Sequence, residues 1–311
     1  MKELEYGISK WIPFQDAKEA ARVRKIKKED ICKHSNPNFK ISILSDLDFV
    51  FTRVMDIFSR IQDASNEGRR MVMMWPQIIR HYSHVAYLIN KFKVDCSNLY
   101  IINVDEYADE NGNIRPEESP RSFLYALKKN FYFKIDKELR PPENHMIGFT
   151  NKNIKDFDKI IEDLGGVDVF YCGIGWSGHI AFIEPGAKEF EGSFEEWKQM
   201  GSRIVTLNPF TIAQVSLQPR NGSSGDWSMI PPKGATVGPA QVINARHRCS
   251  FNPFVIGGSN ISFQRFIIRL AAHGPVTQLV PASIYQTLNT DLYILETLAE
   301  DIQIVDEVGL E

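Results

Sequence analysis

Two short segments of this chain carry residue types able to move protons. In the first, the apolar run Leu99-Tyr100-Ile101-Ile102-Asn103-Val104 ends directly in Asp105-Glu106-Tyr107. A carboxylate at the end of an apolar strand sits in a partly dry cleft, where burial raises its pKa and suits it to general-base work. The structural alternative is a helix or turn cap. Neighbouring side chains of an extended chain point to opposite sides, so one of Asp105 and Glu106 is expected to face a substrate. In the second segment, Val167 to Cys172 enters the turn Gly173-Ile174-Gly175-Trp176-Ser177-Gly178-His179, and Glu184-Pro185 follows shortly after. Glycines let backbone approach a ligand closely and can aim N–H groups at an anion. A carboxylate near His179 would fix its tautomer and tune its pKa, which suits an acid–base catalyst. The alternative is a structural histidine. Gly173, Gly175 and Gly178 lack the dinucleotide context, because no acidic residue ends a second strand at the expected spacing. A third polar segment, Gly257-Gly258-Ser259-Asn260, follows Pro253-Phe254-Val255-Ile256.

These segments need strands and helices to bring them together. Lys40–Leu44 reads as a strand, and Ser45-Asp46 as the cap of a helix with Leu47, Val50, Val54, Ile57, Phe58 and Ile61 at helical spacing. Met71–Met74 reads as a buried strand broken at Trp75-Pro76, followed by a helix carrying Ile78, Ile79, Tyr82, Val85 and Leu88. Helices are expected over Ser122–Phe133, Ile154–Leu164 and Ile261–Ala272, and strands over 99–104, 167–172 and 253–256. Recurring strand–loop–helix units predict an α/β fold, a parallel sheet with helices on both faces. Ligands of such sheets bind beyond the carboxyl ends of the strands, where all three polar segments fall. Residues 1–38 are densely charged and read as a solvated extension, with 39–311 as a single α/β domain. Asn221–Gly225 reads as a flexible loop.

The 311 residues are 43% hydrophobic and 24% charged, with a formal net charge of −3. This argues against disorder and against a generic electrostatic grip on nucleic acid or an anionic membrane. The cysteines Cys32, Cys96, Cys172 and Cys249 form no CxxC pair, so zinc-ribbon spacing is absent and free thiols in a reducing compartment are expected. Met1-Lys2-Glu3-Leu4-Glu5 is unlike a signal peptide, and no apolar run reaches the roughly 18–20 residues of a membrane helix. The expectation is a cytoplasmic protein.

Asn103-Val104-Asp105-Glu106-Tyr107, then Ser122 and Asn130-Phe131, then Gly173-Ile174-Gly175 through Gly178-His179-Ile180-Ala181-Phe182 and Glu184-Pro185, resemble the glucosamine-6-phosphate deaminase (isomerase) family in order, spacing and identity. The related 6-phosphogluconolactonases share the turn and the histidine. The likeness runs over residues 40–300. It implies a modified Rossmann-like parallel sheet and conversion of an amino-sugar phosphate to a ketose phosphate with loss of ammonia, formally a hydrolysis of a C–N bond, with no metal or organic cofactor. It implies that Asp105 moves a proton between C1 and C2 of the open-chain sugar, that His179 assists ring opening, and that Glu184 supports the histidine. Glu106, Tyr107, Gly173, Gly175, Ser177, Gly178, Gly257, Gly258, Ser259 and Asn260 are the implied substrate-binding positions, and a homo-oligomer is the implied assembly.

The chain departs from the family pattern at several of these places. Ser177 stands where the family has an aspartate, and serine carries no charge to hold His179 protonated. Met73-Met74-Trp75-Pro76-Gln77 replaces a Gly- and Thr/Ser-rich phosphate loop and offers no glycine, hydroxyl or positive charge. Asn260 stands at a family lysine, and Leu217 is nearest to an expected arginine. The expectation is an altered sugar substrate, with Trp75 and Trp176 offering aromatic faces or packing in the core. Arg121, Arg203, Lys233 and Arg246 are the candidate replacement anion donors. A catalytically weak sugar-binding homologue with a regulatory role is the alternative, and an interaction protein acting through the basic N-terminal arm is a third reading.

Overall fold

The computed structural model describes residues 7–76, 81–256 and 261–304, so Gly257, Gly258, Ser259 and Asn260, together with Gln77, Ile78 and Ile79, lie outside the described residues. In chain order the elements are α1 (Ala17–Arg24), β1 (Phe39–Leu44), α2 (Asp46–Asn66), β2 (Met71–Trp75), α3 (His81–Phe92), β3 (Leu99–Asn103), β4 (Asp105–Ala108) and α4 (Phe123–Asn130). They continue with β5 (Met146–Ile147), α5 (Phe157–Asp163), β6 (Val169–Tyr171), α6 (Phe194–Lys198), β7 (Arg203–Thr206), α7 (Pro209–Ser216), β8 (Lys233–Thr236), α8 (Pro239–Asn244), β9 (His247–Asn252), α9 (Gln264–His273), β10 (Thr290–Leu295) and α10 (Glu296–Ala299).

Seven strands form one sheet in the order β1-β10-β9-β6-β2-β3-β5, and every pairing in it is parallel. Flanking helices complete an α/β architecture. β2 and β6 are buried along their whole length, as expected of central strands covered on both faces, which read as continuous apolar runs. Ser45 ends β1 and starts α2 by accepting the Asp48 N–H, the local capping chemistry that its type predicts. The buried stripe of α2 is Phe49, Arg53, Val54, Ile57, Phe58, Ile61 and Ala64. Leu47, expected on that stripe, is 79% exposed.

A second sheet positions the first acidic segment. β4, β8 and β7 form an antiparallel three-stranded sheet, with Asp105 opposite Thr236. Val104 is the crossing point: its N–H donates to the Trp75 carbonyl of the main sheet at 3.0 Å, and its carbonyl accepts the Val237 N–H at 2.9 Å. Asp105-Glu106-Tyr107, expected to close a strand and open a loop, therefore forms a strand of its own. Pro253–Ile256, expected as a strand, is irregular; β9 precedes it, and Pro253 has no N–H to extend the ladder. Ser122 caps α4, which ends at Asn130 before a short 3₁₀ turn.

The charged N-terminal segment is not a solvated arm over its described length. Ala20, Val23 and Ile31 are buried, and α1 packs on α9. Arg269 of α9, fully buried, donates to the carbonyls of Ile26, Leu298 and Ala299, tying the segment to α10. Its charged residues face outward because only one side of α1 is apolar.

Candidate active site

The carboxyl ends of β2, β3, β6 and β9 open onto one cavity of about 220 Å³. Its lining includes Asp105, Tyr107, Gly173, Gly175 and His179, with Arg53, Thr211 and Arg220. A larger open depression of about 1180 Å³ lies elsewhere, by Lys27, Lys28, Glu296, Glu300 and Asp301. Its lysines are already paired, Lys27 to Asp301 at 2.9 Å and Lys28 to Glu300 at 2.7 Å, so the smaller cavity holds the richer chemistry.

Strand alternation in β4 sorts the first acidic segment. Asp105 and Tyr107 line the cavity. Glu106 faces the other way, where its carboxylate accepts the Tyr107 N–H at 2.9 Å, the Ser122 hydroxyl at 2.8 Å and the Phe123 N–H at 2.6 Å. Glu106, expected to bind substrate, instead fixes the start of α4 against β4 and does not line the cavity. Asp105 is buried, and its Oδ1 has no hydrogen-bond partner among the described residues. Burial first, and the neighbouring Glu106 second, push its carboxyl up to about 7, with Arg220 opposing. That value leaves a carboxylate able both to take and to return a proton near neutral pH.

The glycine turn holds the histidine. A Cβ on Gly175 would lie 2.0 Å from His179 Nε2, so only glycine lets the imidazole edge reach the cavity. Gly178 takes a φ of +86°, a left-handed conformation glycine adopts freely, and it packs on Val280 rather than lining the cavity. Ala181, just beyond, holds a φ of +52° without being glycine, local strain of the kind that surrounding structure must enforce. Behind the ring, Nδ1 lies 2.9 Å from Ser177 Oγ, 2.9 Å from Thr211 Oγ1 and 3.5 Å from Glu184 Oε2. The Ser177 hydroxyl donates to Glu184 at 3.3 Å, which leaves its lone pairs for an Nδ1–H. We assign the neutral imidazole proton to Nδ1 on this network, with Nε2 facing the cavity as a base. Burial pushes His179 down to about 4. Burial also pushes Glu184 up to about 7, against the hydrogen bonds of Thr211, Asn208 and Ser177. The proximity of the two would favour an ion pair, but both groups are dry, and desolvation favours the neutral forms. Ser177 and Glu184 thus stand behind His179 and do not line the cavity.

Several expectations for substrate contacts move. Trp75 is fully buried, stacked on Tyr82 at 4.2 Å and edge-on to Phe131 at 4.8 Å. It is a core residue and offers no face to a sugar. Trp176 stacks on Phe210 and Phe263. Of the candidate anion donors, Arg203 donates to Gly201 and Glu189 carbonyls, Lys233 to the Glu110 carbonyl, and Arg246 pairs with Asp168. Arg121 borders a neighbouring cavity with Arg115. None of the four lines the cavity of Asp105 and His179. Arg220 does, just past Leu217, and donates to the Tyr107 hydroxyl at 2.9 Å with its guanidinium over Tyr107 and Phe123. Arg53 also reaches it from α2. Both escape sequence reading. Arg220 follows a proline outside any helical pattern, while Arg53 interrupts the apolar stripe 49–53–57, which is the signal that could have found it. Among the described residues, His247, Cys249 and Asp291 have donor atoms within 4.8 Å of one another. They lie away from the cavity and are engaged with Arg60, Asp56 and each other.

No model of a known protein family matches the chain. It is 30% identical over 219 residues to a glucosamine-6-phosphate deaminase of Lachnoclostridium phytofermentans, covering 69% of this chain and 80% of that protein. It is 29% identical over 210 residues to the deaminase of Halothermothrix orenii, covering 66% and 76%. A monomeric glucosamine-6-phosphate deaminase superposes with a TM-score of 0.64 at 18% identity, covering 84% of this chain and 98% of that one. A 6-phosphogluconolactonase of Leishmania guyanensis superposes with a TM-score of 0.54 at 11% identity, covering 85% and 98%. The two solved structures share the α/β fold described above, and the sequence relatives go further. A buried carboxylate and a backed histidine at the strand ends, held by a chain of this likeness, lead to one assignment: the protein belongs to the glucosamine-6-phosphate deaminase family.

Proposed function

We propose that this protein is a deaminating aldose–ketose isomerase acting on an anionic amino sugar. The observation that carries this reading is the shared cavity of Asp105, with an oxygen unpartnered among the described residues, and His179, whose Nδ1 is held from behind. In the cyclic sugar, Nε2 takes the proton of the C1 hydroxyl and returns it to the ring oxygen, opening the ring. Asp105 then takes the C2 proton while the substrate's ammonium group gives up a proton that passes through water to the aldehyde oxygen, giving an enolamine. Returning the proton to C1 leaves a ketose imine, which water converts to the ketose and ammonia. Asp105 at about 7 is matched to both halves of that transfer. Glu184 and Ser177 are positioning residues for the imidazole.

A coupled assay for ammonia release from glucosamine 6-phosphate, and from a panel of other sugar phosphates and free amino sugars, tests this reading. Asp105→Asn is expected to lower turnover by at least ~10²-fold; unchanged turnover would refute the base assignment. A second reading is a sugar-binding homologue of weak activity, favoured by the uncharged Ser177 beside a histidine held neutral. Sugar binding by calorimetry with no ammonia released from any member of the panel selects it.

A further inference from the structure

Among the described residues, three arginines are buried to within a tenth of their surface: Arg53, Arg248 and Arg269. Two of them spend their donors on backbone. Arg248 donates to the carbonyls of Val242, Ile243, Ala245 and Asn289, and Arg269 to those of Ile26, Arg265, Leu298, Ala299 and Glu300. Arg53 differs. Among the described residues it meets no carboxylate and no carbonyl. Its guanidinium carbon lies over the Phe251 ring at 4.5 Å and the Phe49 ring at 5.1 Å. It occupies a core position of α2 where the pattern calls for an apolar side chain, and it lines the same cavity as Asp105 and His179.

A buried charge without a counterion costs several kcal/mol, and ring faces return only part of that. The group stays charged at neutral pH, since burial brings it down only to about 10. Its field reaches His81, whose buried Nδ1 also lacks a partner among the described residues and whose protonation Arg53 opposes. An anion at this end of the cavity would compensate the Arg53 charge. Guanidinium forks match phosphoryl oxygens bidentately.

Resting on the proposed function, we infer that Arg53 is the buried anchor for the phosphoryl group of the amino-sugar substrate, taking over from the side of α2 the recognition that Met73-Met74-Trp75-Pro76 cannot supply. Arg220, exposed and tied to the Tyr107 hydroxyl, holds the rim of the same cavity. The anchor has a stability signature. With no anion bound, Arg53 is a cost to the fold, and a methionine of similar length removes it.

The test uses the full chain and does not depend on turnover. Thermal unfolding and calorimetry are followed with inorganic phosphate, glucosamine 6-phosphate and unphosphorylated glucosamine for the wild type, Arg53→Met, Arg53→Lys and Arg220→Met. The wild type is expected to gain stability with both phosphates and to bind the sugar phosphate at least tenfold tighter than phosphate alone. Arg53→Met is expected to match or exceed the wild-type Tm without ligand, to lose at least tenfold in phosphate and sugar-phosphate affinity, and to leave glucosamine binding unchanged. Arg53→Lys, which keeps the charge, covers the case in which the methionine variant fails to fold and is expected to retain part of the affinity. Equal phosphate affinity in Arg53→Met and wild type overturns the inference. So does loss of affinity confined to Arg220→Met, a wild type that binds no phosphate, or a wild type that binds phosphate but not the sugar phosphate more tightly. Arg53-dependent sugar-phosphate binding with no ammonia released leaves the anchor standing and removes the proposed reaction alone.

Discussion

At the scale of single residues, the site is governed by desolvation. Asp105 titrates from 3.8 in free chain to about 7 in the fold, so the folded protein holds the extra proton between those values. Stability from this group is present at acid pH and declines as pH rises from about 4 to 7. Asp105→Asn removes that decline. The variant is expected to gain on the wild type as pH rises from 4 to 8, by about 4 kcal/mol, read from urea unfolding at each pH. The same titration predicts that kcat/KM of the wild type rises through pH 7 as the base ionises. Ser177 gives a second test. Ser177→Asp places a carboxylate near Nδ1 and is expected to raise the His179 pKa by roughly 1–3 units, measured from the imidazole proton shift in NMR titration. An unmoved imidazole would show that Glu184 alone sets its charge. The identities of Asp105, His179 and Glu184 as candidates were legible in the chain, because each sits beside an apolar strand or a glycine turn. The turning away of Glu106 was legible only as an alternation. Which of the two acids faces the cavity depended on the partner strand.

At the scale of elements, turns and strand crossings place these groups. The turn after β6 brings the imidazole edge within 2.0 Å of where a Gly175 Cβ would stand. Gly175→Ala must therefore displace His179 while leaving the sheet intact. It is expected to cost at least ~10²-fold in kcat/KM, the scale of a misplaced catalytic group, with a far smaller change in Tm. Loss of stability in step with activity would mean that the turn serves the fold rather than the ring. Local signals worked where chemistry is local. Ser45 caps α2, Ser122 caps α4, and Met71–Met74 is a buried strand. They failed at β4, since Asp105-Glu106-Tyr107 becomes a strand only by pairing with Lys233–Thr236, a segment far along the chain. They failed again at Pro253–Ile256, where the apolar run follows the true strand rather than forming it.

At the scale of the whole molecule, long-range packing joins α1 and α10 to α9 beside the main sheet. α1 lies on α9, and Arg269 binds the N-terminal carbonyl of Ile26 to those of Leu298 and Ala299. Val23→Asp puts an unpaired carboxylate where Val23 is 0% exposed. It is expected to lower unfolding free energy by ~3 kcal/mol or more, measured by urea denaturation, while kcat per folded molecule is kept. A stability within error of wild type would make α1 the solvated arm its charge suggests. Among the described residues no helix is long and apolar enough to cross a membrane. The sequence by itself determined the α/β class, the proton-moving residue types and the family resemblance, because periodicity, caps and motif spacing are local and survive without knowledge of neighbours. Only the tertiary structure decided that Trp75 is core, that Glu106 is a cap, and that Arg220 and Arg53 reach the cavity. Burial and counterion supply are set by groups distant in the chain, and no local pattern records them.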